Sequence, residues 1–313
     1  MTYQDVYAAW QNDPEAFWMQ AASGIDWIRP PSKALFDDRA PLYEWFSDGI
    51  VNACWNAVDR HVEAGRGDQL AIIHDSPITH SYRGITYKDL QTRVASLAGA
   101  LRAKGIEKGD RVIIYMPMVP EALEAMLACS RLGAIHSVVF GGFAANELAV
   151  RIDDCQPKAI IAASCGLEPG RVVHYKPLLD KAIELASHKP DFCVIFQREQ
   201  EVAKLIEGRD VAWHTFQYGV EPAECVPVEG SHPHYILYTS GTTGQPKGAE
   251  LMHRNMISNA LASDQLFGAD SDNPDTLLCV LPLFHSFGQT VIMNAGFAFG
   301  GTGCEIKSIF SPR

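Results

Sequence analysis

Residues 235–248, YILYTSGTTGQPKG, place a short apolar run before a loop of hydroxyls, glycines and one lysine. Glycines let backbone N–H groups approach phosphate oxygens without obstruction by a Cβ atom. Lys247 adds a mobile positive charge to these donors. The composition therefore predicts a polyphosphate-binding loop, with the candidate residues Thr239, Ser240, Gly241, Thr242, Thr243, Gly244 and Lys247.

The spacing of this loop excludes a Walker P-loop, which needs glycine, four residues and then Gly-Lys-Ser/Thr. Here Lys247 follows Pro246 and precedes Gly248. The pattern TSGTTGxPKG resembles the phosphate-binding signature of the adenylate-forming enzymes, which include acyl-CoA synthetases, luciferases and peptide-synthetase adenylation domains. The alternative is an ordinary turn between a strand and a helix, which needs only a few such residues in sequence. The resemblance implies that the loop binds the phosphates of ATP.

The elements that must position this loop alternate between helices and strands. Thr86 can cap a helix that Gly105 ends, and Pro120 can begin a helix that Gly133 ends. Further helices are predicted at 145–154 and 178–187, and apolar runs predict buried strands at 112–116, 135–140, 159–163, 193–196 and 235–238. This alternation predicts a parallel sheet with right-handed crossovers. Ligands collect beyond the carboxyl ends of such strands, where the loop falls.

The segments around this alternation have weaker patterns. Residues 1–60 contain five of the six tryptophans and little periodicity, which predicts an N-terminal wrap. Residues 197–230 are predicted to form a surface connection. After the loop we expect a helix at 251–267, a strand at 276–281 and a helix at 288–299.

A second candidate site is RLGAIHSVVFGGF, where two glycines follow an apolar strand. On chain geometry alone a tight turn explains the glycines better than a ligand does. The longer stretch IYMPMVPEALEAMLACSRLGAIHSVVFGGF resembles the acetyl- and propionyl-CoA synthetases, and FQRE, CGLEPGRVVHYKPLLD and CVPV resemble the propionyl branch. The resemblance implies that Phe140, Gly141 and Gly142 contact coenzyme A. It also makes Arg171 a candidate for a CoA phosphate, although Glu168 stands where the acetyl enzymes have a second basic residue.

A third candidate site is LPLFHSFG, in which His285 lies among aromatic residues after an apolar strand. A histidine at such a position is at least as often a core or turn residue as a functional one. From about 250 to 301 the chain resembles fatty-acyl-CoA synthetases, in HRNMISNALA and VLPLFHSFGQTVIMNAGF. That resemblance implies that Phe284 and His285 line an acyl pocket. It differs from the propionyl-like resemblance of residues 1–248, so the two parts predict different acyl-chain lengths.

Composition excludes several functions. The formal net charge of -11 and the pI near 5.4 argue against binding to nucleic acid or to an anionic membrane. The eight cysteines include no CxxC pair, which predicts reduced thiols and no metal site. His232 and His234 are predicted to be solvated loop histidines. No apolar stretch approaches the ~18 residues of a membrane span, and the N-terminus lacks a signal pattern, so we expect a cytoplasmic protein.

Together these features predict an α/β fold, the parallel-sheet N-terminal domain of an adenylate-forming enzyme, truncated before the C-terminal domain. The expected layout is an acetyl-CoA-synthetase-type segment at 1–60, an incomplete AMP-binding domain at 61–301 and an unassigned tail at 302–313. The expected activity is ligation of a short-chain carboxylate, propionate above others, to coenzyme A with ATP. The alternatives are specificity for a longer chain and a truncated, non-catalytic remnant that binds nucleotide or CoA. A dinucleotide-dependent oxidoreductase is excluded because no GxGxxG turn follows the first strand.

The resemblance also implies what this sequence lacks. The later family motifs, which supply the catalytic lysine and the acidic ligand of Mg²⁺, have no counterpart before Arg313. We therefore assign no catalytic residue to this chain and expect poor catalysis from it alone, because nucleotidyl transfer depends on cations that stabilise the transferring phosphate.

Overall fold

The computed structural model of the protein describes residues 2–168, 170–239, 246–267, 274–279 and 281–306. The helices of this part are α1 (Tyr3–Asn12), α2 (Pro14–Ala22), α3 (Tyr87–Ala103), α4 (Pro120–Leu132), α5 (Ala145–Cys155), α6 (Tyr175–Leu185), α7 (Trp213–Phe216), α8 (His253–Phe267) and α9 (Gly296–Ala298). π-Helical segments lie at Trp55–Asp59, Val62–Arg66 and Gly288–Ala295.

The strands of the described part fall into a central sheet and smaller sheets. In chain order they are β1 (Leu35–Phe36), β2 (Glu44–Trp45), β3 (Ile50–Val51), β4 (Leu70–Ser76), β5 (Ser81–Thr86), β6 (Arg111–Met116), β7 (Ile135–Phe140), β8 (Ala159–Ala163), β9 (Cys165–Glu168), β10 (Arg171–His174), β11 (Phe192–Phe196), β12 (Asp210–Ala212), β13 (Val228–Glu229), β14 (Pro233–Thr239), β15 (Lys247–Met252), β16 (Thr276–Leu278) and β17 (Thr302–Ile306).

The central sheet confirms the predicted α/β class. Its strand order is β12-β11-β8-β6-β7-β14-β15, and every neighbouring pair is parallel except β14 with β15. The middle strand β8 is apolar along its whole length because helices cover the sheet, and all five of its residues are buried. Helix α3 packs against α4, and α5 packs against α6.

The two predicted helix boundaries rest on local chemistry. The Thr86 hydroxyl accepts a hydrogen bond from the backbone N–H of Asp89, and the Asp89 carboxylate accepts one from the N–H of Thr86. This capping box satisfies two of the donors that a helix start leaves unpaired. Gly133 ends α4 at a φ of 67°, a left-handed conformation that glycine adopts without steric cost.

The structure differs from the sequence prediction on both sides of the sheet. Residues 247–252 form β15, antiparallel to β14, whereas we predicted that the loop leads directly into a helix. The predicted surface connection at 197–230 is wrong for 210–216, because β12 forms one edge of the sheet and α7 buries Trp213 and Phe216. These elements are too short for periodicity to reveal them.

A second sheet contains the predicted strand at 276–281, observed as β16, and three strands that the sequence did not predict. Its order is β16-β17-β4-β5, with β17 parallel to β4. The first five residues of the segment that the sequence left unassigned, 302–306, therefore form an ordered strand; 307–313 lie outside the described residues.

A buried ion pair joins the N-terminal part of the chain to α4. Arg131 Nη1 lies 2.8 Å from Asp59 Oδ2, and the two side chains are 4% and 2% exposed. Asp59 also accepts from Gln91, and Arg131 Nε donates to the carbonyl of Ala223. The pair therefore links the segment before β4, helix α4 and the connection after α7.

Two cysteines that are distant in sequence, Cys54 and Cys225, meet beside this pair, which their spacing did not predict. Their sulfur atoms and the Asp59 carboxylate lie within 4.8 Å of one another. The Arg131 guanidinium donates to both Asp59 and Cys54, so it supplies the positive charge that this group requires. The cluster is therefore part of the buried ion pair.

Replacing Asp59 with alanine should cost about 3–5 kcal/mol of unfolding free energy, because it leaves Arg131 charged and unpaired in the interior. The double variant Asp59→Leu/Arg131→Met should lose less than this single variant. Urea unfolding followed by circular dichroism measures both. The control Glu184→Ala breaks the exposed Lys181–Glu184 pair and should cost less than about 1 kcal/mol. Equal losses for Asp59→Ala and Glu184→Ala would contradict the assigned role.

Three histidines form a buried cluster at the amino-terminal ends of β7 and β14. The ring centroids of His136 and His234 are 5.1 Å apart, and those of His234 and His253 are 4.5 Å apart. His234 is 2% exposed, so its predicted place in a solvated loop is wrong. His232 is half-buried, and its Nε2 lies 2.8 Å from the Gly133 carbonyl oxygen. Burial lowers the pKa of His234 to about 3 and the pKa of His136 and His253 well below the ordinary value.

The cluster predicts acid sensitivity. The pKa of His234 is lower when folded than when unfolded, so its contribution to stability is complete above about pH 6.5 and is lost as the pH falls towards 3. Between pH 7.5 and 5 this single group should remove about 2 kcal/mol of unfolding free energy. In His234→Phe, urea unfolding at the two pH values should show a loss smaller by that amount. The exposed His80→Asn control should keep the wild-type loss, and an unchanged loss in His234→Phe would refute the prediction.

Candidate functional site

A cavity of about 530 Å³ lies at the carboxyl ends of β7 and β14. We call it the site cavity. Its lining includes one predicted CoA contact, Phe140, one predicted phosphate contact, Thr239, and both predicted acyl-pocket residues, Phe284 and His285. Its further lining residues are Val138, Val139, Phe143, Glu147, Arg151, Leu237, Tyr238, Pro246 and Ser286.

Strand register explains why these residues meet. In the parallel pair β7 and β14, His136 lies opposite Tyr235. Continuing that register by four residues brings Phe140 level with Thr239, the last residue of β14. Thr239, after which the candidate phosphate loop begins, therefore lies level with the start of the FGG turn. Ser240, Gly241, Thr242, Thr243 and Gly244 lie outside the described residues.

The segment 281–288 closes the apolar side of the site cavity. The rings of Phe284 and Phe140 have centroids 5.1 Å apart. The Nδ1 atom of His285 accepts a hydrogen bond from the backbone N–H of Phe287 at 3.2 Å. His285 therefore stabilises a turn and also borders the site cavity, and its role in binding an acyl group stays a prediction.

Packing requires the two glycines of the FGG turn. A Cβ atom at Gly141 would lie 2.2 Å from the Tyr175 ring, and one at Gly142 would lie 2.6 Å from the Phe140 ring. Gly141 is buried and Gly142 is exposed. Close ring packing therefore accounts for Gly141, as the tight-turn interpretation predicted, while the Gly142 backbone is open to a ligand.

The site cavity contains a cation that sequence reasoning missed. Arg151 is 7% exposed, and its guanidinium lies 4.8 Å from the Phe143 ring centroid and 5.3 Å from that of Tyr238. Its Nη1 donates to the Glu147 carboxylate at 3.1 Å. The stacked rings and the carboxylate hold the guanidinium in place. The only signal in the sequence was a Glu–Arg pair four residues apart in the helix after the FGG turn.

Tyr238 links this cation to the start of the phosphate loop. Tyr238 lies one residue before Thr239 in β14, and its hydroxyl donates to the Asp154 carboxylate of α5 at 2.7 Å. Burial, followed by this hydrogen bond, raises the pKa of Tyr238 above its ordinary range, so the hydroxyl stays protonated and keeps donating. The end of β14 is thereby fixed to α5.

Two family models match the chain. The model of the AMP-binding enzyme matches residues 58–309, and that of the acetyl-coenzyme A synthetase N-terminus matches residues 3–57. The chain belongs to the AMP-binding enzyme family. The relatives described next are short-chain acyl-CoA and acetyl-CoA synthetases, and the chain matches their N-terminal portion. This agrees with the branch that the sequence resembles.

Relatives and a solved structure of this family match nearly the whole chain. The human protein "Acyl-CoA synthetase short-chain family member 3, mitochondrial" is 45% identical over 312 residues, which cover 95% of this chain and 45% of that protein. The acetyl-coenzyme A synthetase of Xanthobacter autotrophicus is 48% identical over 316 residues, 98% of this chain and 48% of that protein. The acetoacetyl-CoA synthetase from Streptomyces lividans has the same fold, with a TM-score of 0.83 at 22% identity, over 95% of this chain and 46% of that one.

The chain spans about half the length of these relatives. None of the helices in the described residues is long and apolar enough to cross a bilayer. The name of the human relative specifies mitochondria, so a cytoplasmic location for this member of the family stays a prediction.

Two further predicted ligand contacts, Arg171 and Lys247, are not among the lining residues of the site cavity. Arg171 is exposed on the β9–β10 hairpin, and its Nη2 lies 2.6 Å from the Glu168 carboxylate. Glu168 therefore neutralises the positive charge of Arg171, which a CoA phosphate would require. Lys247 is the exposed first residue of β15 and pairs with Thr239 across the base of the phosphate loop.

The Gly141→Ala variant should lose about 1–3 kcal/mol of unfolding free energy, because the new methyl group overlaps the buried ring of Tyr175. Thermal unfolding measures the loss. The control is Gly303→Ala, where the nearest atom to an added Cβ, the Ala71 carbonyl oxygen, lies at an ordinary 3.8 Å. A Gly141→Ala protein as stable as this control would show that packing does not explain the glycine.

Proposed function

We propose that this chain provides the substrate-binding domain of an AMP-forming ligase that joins a short-chain carboxylate to coenzyme A, with propionate as the preferred acid. The observation that carries the proposal is the site cavity, where Phe140, Thr239 and Phe284 line one space. These residues come from three segments whose predicted ligands are CoA, ATP and the acyl group. A reaction that joins the three substrates needs such a meeting point.

The proposed reaction has two steps. A carboxylate oxygen of the acid attacks the α-phosphorus of ATP, the bond to the β-phosphate breaks, and pyrophosphate leaves. The CoA sulfur, having lost its proton, then attacks the acyl carbon, and the acyl–oxygen bond to AMP breaks. Phosphate loop residues from Thr239 to Lys247 bind the phosphates, and each charge-assisted hydrogen bond contributes about 1.5–3 kcal/mol.

A short acid is favoured by two observations. The Phe140 and Phe284 rings approach to 5.1 Å and narrow the apolar side of the cavity. Relatives named as short-chain and acetyl-CoA synthetases align over 95% and 98% of the chain, which includes the residues after 250 that resemble fatty-acyl enzymes. Among the short acids we propose propionate, because sequence motifs within residues 1–248 resemble those of the propionyl-CoA synthetases. Longer-chain specificity is the alternative that the assay below tests.

The described part of the cavity does not fit a Mg²⁺ ion. Glu147 is the one carboxylate among its described lining residues, and it binds Arg151. Hard cations take several oxygen ligands, so no step of this proposal is assigned to a metal held by these residues. No catalytic residue is assigned to the chain either, and its role in the proposal is to bind and orient substrates.

An ATP–pyrophosphate exchange assay tests the first step. We expect exchange that depends on added propionate, exceeds exchange with acetate or octanoate, and falls at least tenfold in Lys247→Ala. The physical reason is that Lys247 supplies a positive charge beside the phosphate loop. A matched control is Lys181→Ala, which removes an exposed lysine on α6.

Each result decides between the alternatives. Greatest exchange with octanoate would replace the short-chain assignment by the longer-chain one. Equal exchange in Lys247→Ala and Lys181→Ala would refute the role of the loop lysine. Retained ATP binding in equilibrium dialysis without any exchange would favour a nucleotide-binding chain that does not catalyse the reaction.

A further inference from the structure

A second cavity, of about 480 Å³, lies between α2, residues 45–46 and the first turns of α8. We call it the N-terminal cavity. Among the described residues, it shares no lining residue with the site cavity. Its lining consists of Phe17, Trp18, Ala21, Ala22, Ile25, Trp45, Phe46, Arg254, Asn255, Ser258, Leu261 and Ala262.

Aromatic rings form the apolar wall of the N-terminal cavity. Trp18 meets Trp45 edge to face with ring centroids 5.5 Å apart, and Trp45 lies 6.0 Å from Phe46. Protein interiors contain few voids larger than a water molecule, whereas small-molecule sites range over about 300–1,000 Å³. The volume and the lining therefore match a ligand site better than a packing defect.

Hydrogen bonds fix parts of the cavity wall. The Trp27 indole donates to the Ala22 carbonyl at 2.9 Å, and Arg254 Nη1 donates to the Trp45 carbonyl at 2.8 Å. The small core around Ala22, Ala34 and Phe46 is separate from the one around Ile25, Val51 and Ile257. Residues of both cores line the cavity, Ile25 from one and Ala22 and Phe46 from the other.

Arg254 is the one charged residue in this lining. It is half-buried, and among the described residues it forms no ion pair. Loss of hydration lowers its pKa, which the nearby Glu44 partly opposes. A guanidinium presents a planar fork that matches a carboxylate. The positive charge also disfavours a cationic ligand, which the aromatic rings alone would accept.

We propose that the N-terminal cavity binds an apolar monocarboxylate of medium chain length, with its chain against Trp18, Trp45 and Phe46 and its carboxylate on Arg254. The site is distinct from the proposed acyl pocket at Phe284 and His285. Binding involves no covalent step. The carboxylate supplies the ion-pair partner that the Arg254 guanidinium lacks among the described residues. Burial of the ligand's hydrocarbon chain against the aromatic rings also favours the complex.

Titration of the 313-residue chain with octanoate, followed by tryptophan fluorescence and by calorimetry, tests the proposal. We expect saturable binding of one octanoate, with a fluorescence change from Trp18 and Trp45. 1-Octanol has the same chain without the charge and should bind at least about tenfold more weakly, because it cannot form a charge-assisted pair. Acetate has the charge without the chain and should not compete.

Variants locate the binding. Arg254→Gln should weaken octanoate binding at least about tenfold, whereas the control Arg102→Gln, which removes an exposed arginine that also donates to a carbonyl oxygen, should not. Ala21→Phe fills the cavity from α2 without deleting a contact and should block binding even if Arg254→Gln folds poorly. Phe284→Ala should leave octanoate affinity unchanged.

Three outcomes would overturn the proposal: octanol binding as tightly as octanoate, unchanged binding in Ala21→Phe, or loss of binding in Phe284→Ala, which would assign the ligand to the site cavity. The proposal is also separable from the proposed reaction. Arg254→Gln should retain the propionate-dependent exchange of the wild type, so failure of one test leaves the other intact.

Discussion

The parallel pairing of β7 with β14 is the constraint on which the site depends. Parallel neighbours present their carboxyl ends at the same edge of the sheet, so the residues that follow them meet regardless of their distance in sequence. Phe140 and Thr239 are 99 residues apart, since 239 minus 140 is 99, yet they line one cavity. Reversing either strand would separate the FGG turn from the phosphate loop.

The Asp59–Arg131 ion pair attaches the N-terminal segment to helix α4, which packs on this sheet. Burying two charges is costly, and the cost is recovered only where geometry is good and the remaining donors and acceptors have partners. Here Gln91 and the Ala223 carbonyl supply those partners. The N-terminal segment beyond this anchor packs through two small cores instead of the main core, which explains why a cavity persists between α2 and α8.

Helices and strands were predicted correctly where the sequence pattern extended over many neighbouring residues. Helix α3 combines a capping box at Thr86 with apolar residues at helical spacing. Residues 112–116 of β6 are continuously apolar and buried. The prediction failed for β15, whose residues KGAELM are mostly exposed and carry no alternation. It also failed for β12, which has only three residues and is stabilised by pairing with β11.

The candidate site residues likewise include some that short motifs identified correctly and some that they did not. Phe140, Thr239, Phe284 and His285 were found from short motifs and meet in the site cavity, whereas Arg171 does not line it and is paired with Glu168. Arg151 was missed because arginine in a helix is usually solvated, and only the rings of Phe143 and Tyr238 make this one a buried cation.

The sequence by itself determined the parallel α/β architecture, the place of the phosphate loop after a strand, and the family to which its motifs belong. These features depend on periodicity, capping and residue type, which act within a few neighbouring positions. Only the tertiary structure decided that His234 is buried, that Cys54 and Cys225 meet beside Arg131, and that Arg254 faces an aromatic cavity. Burial and pairing of this kind depend on strand order and on contacts between distant segments, and no local pattern in the chain encodes them.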